Sequence, residues 1–339
     1  MTHRIGLAVI GCGDVATTRH LPAIVADTGA RLVACCDRDL NRAAAAAAKF
    51  GADYATTAVE KVLTDPGVRA VIVATPPWVT PEITIAALDA GKDVLAEKPM
   101  ALTLDEALAV QTAERRSDQF VQVGFVMRHG PVFGAMQRWI AKGRLGSPLD
   151  FRVGIFDETW DPVGNPEHYQ RILATLNHGA PCIHDGAHTM DHLHFLTGKQ
   201  ATSLVSWGRT TRSEFPRPNL NLAVIDFAGG HRARVEIGWF LPQFPPIEWS
   251  VVGPLGMAWC DLPQGCAHLR SADGDEDVRV DEDWFENCFR HQLDVFLTGV
   301  RTRVSPQPGT QAGIDSLVLT HAFEQGMAGP AFPRTVEYP

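Results

Sequence analysis

Ile5-Gly6-Leu7-Ala8-Val9-Ile10-Gly11-Cys12-Gly13-Asp14-Val15-Ala16 is the stretch on which the fold turns. Ile5–Ile10 is a β-rich apolar run, and a segment of helical composition, Thr17–Asp27, follows the glycines. Between them lies a G-x-G-x-x-A motif, Gly11 to Ala16. Gly11 permits a tight turn, Gly13 lets backbone approach a pyrophosphate, and Ala16 lets the next helix pack close to the sheet. Phosphates would meet the loop Gly11-Cys12-Gly13-Asp14-Val15, where free N–H groups and the helix dipole favour negative charge. Alone, the motif also suits a plain structural turn. Here an acid follows: Asp37 stands 24 residues past Gly13, at the end of the second apolar run. A carboxylate there accepts hydrogen bonds from the adenosine ribose. It also repels a 2′-phosphate, so NAD is expected, with NADP as the alternative. Arg38 is placed to cover the adenine or pair with a phosphate.

The same alternation continues to about residue 125. Leu32–Cys36, Ala70–Ala74, Asp93–Ala96 and Phe120–Val123 read as strands. Leu40–Phe50, Val59–Leu63, Pro81–Ala90 and Leu104–Arg116 read as helices. Strands alternating with helices imply a doubly wound parallel sheet. Thr80 before Pro81 reads as a helix cap, and Thr103-Leu104-Asp105-Glu106 as a capping box. The third long strand ends in Thr75-Pro76-Pro77-Trp78. At the carboxyl edge of such a sheet these residues would line the nicotinamide half of a dinucleotide.

Beyond about 125 the pattern changes. Gly130–Lys142 reads as a helix, and then come longer β-like runs: Asp150–Phe156, Ser203–Thr210, Asn221–Phe227, Arg232–Phe240, Glu248–Val252 and Met257–Asp261. Turn sequences at Asp226-Phe227-Ala228-Gly229-Gly230 and Val252-Gly253-Pro254-Leu255-Gly256 join neighbouring runs as hairpins. The expected second domain is therefore α+β, with an open, mainly antiparallel sheet. Helices return at Asp185–Leu196, Asp283–Val300 and Gly309–Met327. The expected organisation is a dinucleotide-binding domain over 1–124 and a substrate and oligomerisation domain over 125–339. The segment Asp157–Cys182, rich in proline, glycine and histidine, reads as a long active-site loop.

Composition narrows the function. The 339 residues carry a formal net charge of −9, so no basic field draws the chain to nucleic acid or anionic lipid. No apolar run approaches the ~20 residues of a membrane helix. The start of the chain leaves no room for a signal peptide before the glycine motif. Seven cysteines, an odd number with no CxxC, fit reduced thiols and a cytoplasmic protein.

Two clusters carry chemistry. Lys98, in Glu97-Lys98-Pro99, follows the strand Asp93–Ala96 and is one of only six lysines. It stands at the edge that would hold the nicotinamide, where an ammonium can donate to a substrate hydroxyl. By itself it equally suits a surface ion pair with Glu97. The second cluster is His184-Asp185-Gly186-Ala187-His188-Thr189-Met190-Asp191-His192-Leu193-His194. With His178, five of thirteen histidines fall within seventeen residues. His184, His188 and His192 share a helical face at i, i+4, i+8 spacing, and Asp191 is i+3 from His188. This suits a proton-transferring base, a metal site, or capping and exposed residues. No metal is expected. Arg128, Trp160, Asp161 and His168 are further candidates for substrate contact.

Together these segments resemble the glucose–fructose oxidoreductase, inositol dehydrogenase and rhizopine-catabolism family (Gfo/Idh/MocA). The resemblance runs from the glycine motif through VIVATPP, GKDVLAEKP, GFVMRHGPVF, GRLGSP, HDGAHTMDHLHFLTG and IEWSVVGPLGM. It implies an N-terminal Rossmann domain, a C-terminal open sheet, and dimers or tetramers formed through that sheet. It also implies hydride transfer between NAD(P) and a secondary hydroxyl, or hemiacetal carbon, of a sugar, cyclitol or related polyol. The substrate would lie between the nicotinamide and the open face of the second sheet. The family lysine falls on Lys98 and the family histidine on His188. The sequence departs from the pattern in three places. His184 stands where an aspartate is usual, and the acid, Asp185, follows one residue later. Pro77 and Thr80 replace an asparagine and a histidine, and Arg128-His129 replaces paired arginines. The competing class is a non-enzymatic dinucleotide- and sugar-binding regulator; a metal-dependent lyase or hydrolase is more remote.

Overall fold

Ile5–Ile10 (β1) is buried at every position, as a strand covered on both faces must be. The computed structural model describes residues 4–246, 248–329 and 332–339. Met1–His3 and Ile247, which opens the stretch IEWSVVGPLGM, lie outside the described residues. The chain forms two compact units. One comprises Met1–His129 and Phe285–Ile314, the other Gly130–Trp284 and Asp315–Pro339.

In the first unit, β1 is followed by a π-helical turn at Ala16–His20 leading into α1 (Leu21–Ala26). Next come β2 (Ala30–Cys36), α2 (Leu40–Phe50), β3 (Tyr54–Thr56), α3 (Val59–Thr64) and β4 (Ala70–Val73). Then follow α4 (Thr80–Asp89), β5 (Asp93–Ala96), α5 (Leu104–Arg115) and β6 (Val121–Val123). Every pairing is parallel and the strand order is β3-β2-β1-β4-β5-β6. That is the doubly wound Rossmann arrangement, with its reversal of strand order between β1 and β4. The capping box forms: Glu106 N–H donates to Thr103 Oγ1, and Glu106 Oε2 accepts from Thr103 N–H. Thr80 does not cap α4. Its hydroxyl bonds the carbonyls of Thr75 and Pro76 and the hydroxyl of Thr75, pinning the loop after β4.

The second unit begins with α6 (Pro131–Ala141), β7 (Asp150–Asp157), α7 (Pro166–Thr175), α8 (Pro181–His184) and α9 (Gly186–Thr197). Its remaining strands are β8 (Ala201–Arg209), β9 (Leu220–Phe227), β10 (Arg232–Trp239), β11 (Glu248–Gly253), β12 (Gly256–Asp261), β13 (Cys266–Ser271) and β14 (Glu276–Arg279). Helix α10 (Trp284–Thr302) belongs to the first unit, α11 (Thr310–Met327) runs through the second break, and β15 (Arg334–Thr335) closes the series. The sheet order is β14-β13-β12-β11-β7-β10-β9-β8-β15. Its pairings are antiparallel except β7 with β10, which run parallel.

Strand alternation gives this sheet one covered face. Ser206, Ala223, Val235, Val153, Trp249, Cys260 and Ala267 lie across it in register, and all are buried. Phe133 of α6 meets Trp249 edge-on at 5.0 Å, and Ser206 Oγ bonds the Phe323 carbonyl of α11. The other face carries Val205, Trp207, Leu222, Val224, Arg234 and Glu236, partly or fully exposed.

Three sequence expectations change. Residues 157–182 hold helix α7 and the start of α8 rather than one long loop. Residues 125–129, with Arg128, fall in the first unit, and so does Phe285–Ile314, which the expected boundary gave to the second domain. The short strands β3, β13, β14 and β15 had no signal strong enough to mark them.

Candidate functional site

In the first unit the loops after β1 and β4 meet at the reversal of strand order. Gly11 has φ +92°, and a Cβ there would lie 2.4 Å from the Ala74 carbonyl oxygen. Glycine is required on both counts. A Cβ on Gly13 would meet nothing within 4 Å, so the space before the loop is open. Asp37 braces this loop: Oδ2 accepts from Cys12 N–H at 2.8 Å, and Oδ1 accepts from Asp39 N–H at 2.9 Å. Each oxygen keeps a second lone pair for a ribose hydroxyl. The Cys12 amide therefore serves Asp37, while Asp14 is exposed, Gly13 and Val15 are partly so, and Arg38 is exposed beyond Asp37. Thr75 is partly buried and Pro76 and Trp78 are exposed on the loop fixed by Thr80. An open cradle, a positive-φ glycine and a loop-braced acid fit a dinucleotide.

Glu97 and Lys98 follow β5. Glu97 Oε1 pairs with His20 Nε2 at 2.7 Å, and Oε2 accepts from the Lys98 backbone N–H at 3.1 Å. His20 is buried, stands edge-on to Phe289 and sits in the π-helical turn. The Glu97 carboxylate is thus committed to His20 and to backbone. Burial pushes His129 down to about 4, with help from Arg128 and His291, so its imidazole is neutral at pH 7. The cysteines are free and buried. Burial, then the Asp37 and Glu60 carboxylates, push the Cys36 thiol up to about 11.

In the second unit the backbone runs helically from α8 through Asp185 (φ −82°, ψ −29°) into α9, without a bulge. Asp185 Oδ2 accepts from the Trp239 indole N–H at 2.6 Å. His184 is buried and stacks on the same indole, centroids 5.5 Å apart at 21°. Both substitutes for the family acid therefore hold Trp239, a residue the sequence did not single out. His188 is partly exposed on α9, with its N–H on the Asp185 carbonyl. Asp191 is fully buried one turn on.

Two other histidines of the cluster make contacts within the second unit. His192 is fully buried against Phe133 and Trp249, with Nδ1 on the His188 carbonyl. His194 pairs with the Tyr338 hydroxyl at 2.8 Å. Among the described residues, no three His, Cys, Asp or Glu side chains are grouped to hold a metal ion. Of the weaker candidates, His168 Nε2 bonds Glu158 Oε2 at 2.5 Å, and Trp160 lies under the Arg212 guanidinium at 3.7 Å. Asp161 closes its own turn by accepting from Gly164 N–H.

A dinucleotide-binding doubly wound sheet followed by an acid- and histidine-bearing open-sheet unit defines an NAD-binding oxidoreductase. Residues 5–125 match the oxidoreductase family with an NAD-binding Rossmann fold, and residues 133–259 match the GFO/IDH/MocA C-terminal domain. The chain belongs to the Gfo/Idh/MocA family. It is 26% identical to a scyllo-inositol 2-dehydrogenase (NAD(+)) of Bacillus subtilis (strain 168), with 96% of each chain covered. It is 29% identical to an inositol 2-dehydrogenase of Ralstonia nicotianae, covering 98% of this chain and 96% of that one. A levoglucosan dehydrogenase solved with NADH and levoglucosan shares the fold at TM-score 0.86 and 20% identity, covering 99% of this chain and 100% of that chain.

One prediction follows from Asp37. Asp37→Ser removes the brace on Cys12 as well as the ribose acceptor. NAD affinity should fall by more than tenfold, roughly the scale of two lost hydrogen bonds to a charged group. NADP affinity should fall less, because the carboxylate facing its 2′-phosphate is gone. Calorimetric titration with both cofactors checks this; equal losses for the two would count against it.

Proposed function

We propose that the protein is a cytoplasmic NAD-dependent dehydrogenase that oxidises a secondary hydroxyl, or hemiacetal carbon, of a cyclitol, sugar or related polyol. When bound, the nicotinamide supplies the hydride acceptor. His188 takes the hydroxyl proton as a near-neutral imidazole. Lys98 polarises the same oxygen or relays its proton. Asp185 and His184 act on that chemistry by fixing Trp239 at the start of the His188 helix. Arg128, Trp160, Asp161 and His168 remain substrate-contact assignments. What supports this reading is that Lys98 and His188, the residues on which the resemblance puts the lysine and the histidine, are both present in a chain that covers 96% or more of relatives named inositol 2-dehydrogenases. A regulator would be favoured by loss of either residue.

The test is NADH formation when the protein is offered NAD with myo-inositol, scyllo-inositol, D-glucose and 1,5-anhydro-D-glucitol. Absence of NADH with every one of them, at any pH from 6 to 9, would count against the reading.

The same proposal includes assembly through the open face of the second sheet, and the expectation that the substrate lies against that face is dropped, because α9, which carries His188, packs through His192 on Trp249 of the covered face. On the open face Trp207 is 44% exposed beside a cavity of about 480 Å³ lined by Phe156, Leu222 and Glu236. An exposed apolar patch of this kind marks an interface. Sedimentation should give a dimer or tetramer, and Trp207→Glu should shift it to smaller species; an unchanged monomer in both would remove the assignment. Among the described residues no helix is long and apolar enough to cross a membrane.

A further inference from the structure

Three carboxyl groups lie about the carboxyl ends of β7 and β10: Asp157 and Glu158 at the end of β7, and Asp185 on the indole of Trp239, the last residue of β10; the reading above uses only Asp185. These are the parallel strands, with Asp157 opposite Trp239. Directly after each strand comes a non-glycine residue in the left-handed region: Glu158 at φ 57° and Phe240 at φ 57°. The two turns are joined, since Phe240 N–H donates to the Glu158 carbonyl at 2.6 Å. Left-handed backbone is disfavoured where a Cβ is present, and it persists where the surroundings dictate it, commonly at functional sites.

The turn holds the Glu158 carboxyl in a defined place. Its side chain is 20% exposed, and Oε2 meets His168 Nε2 at 2.5 Å. The tautomer follows from the next contact. Arg171 Nη2 lies 2.8 Å from His168 Nδ1, and a guanidinium only donates. Nδ1 is therefore the acceptor, so Nε2 carries the hydrogen and donates to Glu158. Arg171 orients His168, and His168 orients Glu158. Among the described residues the second oxygen, Oε1, has no hydrogen-bond partner. Burial pushes this carboxyl's proton affinity up, and the nearby Asp157 and Asp185 charges add to the rise against the opposing pull of His168. Asp185 belongs to the same place by geometry, since it holds the indole of Trp239, which stands opposite Asp157.

We propose that Glu158, positioned by His168, binds a non-reacting hydroxyl of the polyol and so selects among its stereoisomers. A carboxyl fixed by backbone and by one imidazole, with an oxygen to spare, suits a hydroxyl, which donates to it and can still accept elsewhere. The rigid turn places that hydroxyl at one position of the ring, so an epimer that turns it away loses the bond. This inference rests on the polyol reading, and the experiment separates the two.

Full-length protein with NAD is assayed as wild type, Glu158→Gln and His168→Asn on the four compounds named above and on mono-deoxy analogues of whichever is accepted. Glu158→Gln should raise KM about tenfold or more, the scale of a hydrogen bond to a charged group, with kcat within threefold and NAD affinity unchanged. His168→Asn should raise KM less. On the deoxy analogue lacking the bound hydroxyl, wild type and Glu158→Gln should show the same KM. A merely structural role would lower kcat on every compound and give no such convergence. Unchanged KM, or equal loss on all analogues, overturns the proposal while the dehydrogenase reading stands. If wild type forms no NADH, calorimetry with the same compounds decides: binding that weakens in Glu158→Gln keeps the inference and removes the dehydrogenase, whereas binding that does not weaken, or none at all, overturns both.

Discussion

His188→Ala should lower kcat for polyol oxidation by roughly 10²–10⁴-fold, the range of a lost general base, with NAD affinity unchanged. For wild type, kcat/KM should rise with pH through a value near neutrality, because the imidazole must be neutral to accept the hydroxyl proton. That limb cannot come from His129, which is held near 4. It could come from Glu158, whose proton affinity burial raises, so the limb is also measured in Glu158→Gln, where it should survive. Asp185 supplies the sign test. A carboxylate near an imidazole favours its charged form. Asp185→Asn keeps an acceptor for the Trp239 indole but removes the charge, so the limb should move to lower pH and kcat should fall about tenfold. His184→Ala empties the space stacked on Trp239 and should cost stability first, read as a lower Tm. A flat profile from pH 5.5 to 9, or a fully active His188→Ala, would remove His188 from the proton transfer.

The first sheet was legible because parallel strands buried on both faces are written as unbroken apolar runs. Ile5–Ile10 and Ala70–Val73 could be found without knowing their neighbours, and the glycine motif fixed which came first. Tyr54–Thr56 was too short and too mixed to stand out. The second sheet shows where such reading stops. Hairpin turns announce antiparallel neighbours, and those were found. The parallel pairing of β7 with β10 is a long-range contact with no local mark. Glu158 and Trp239 come together only through that pairing, so neither was singled out, whereas the proposed site residues His188 and Lys98 stood out by composition. Between β7 and α9, Pro166 and Pro181 read as loop residues. Each stands at a helix start, where a missing N–H is no loss and the fixed φ suits the first turn. Helix α10 was found by its periodicity, but an amphipathic stripe does not say which core it serves, and it joined the first unit.

Lys98→Met should lower kcat by 10²-fold or more and leave NAD affinity within a few-fold. The bland alternative was a surface ion pair between Glu97 and Lys98. The structure gives the Glu97 oxygens other partners, His20 Nε2 on one and the Lys98 backbone N–H on the other, with Glu97 only 12% and His20 3% exposed. The carboxylate therefore works on backbone and on the π-helical turn behind the glycine loop, fixing where the chain leaves β5. The Lys98 side chain starts from a backbone atom held by that bond. Methionine keeps the length and packing of the stem and deletes the charge. Lys98→Arg separates the two parts of the proposed role. An arginine can stabilise a negative oxygen but does not release a proton at neutral pH. If Lys98 only polarises the oxygen, arginine should restore kcat to within about tenfold of wild type; if it relays the proton, arginine should be as slow as methionine. Full turnover by Lys98→Met on the identified polyol would show that the lysine takes no part in the reaction and would leave Glu97 as the residue for which that segment is built.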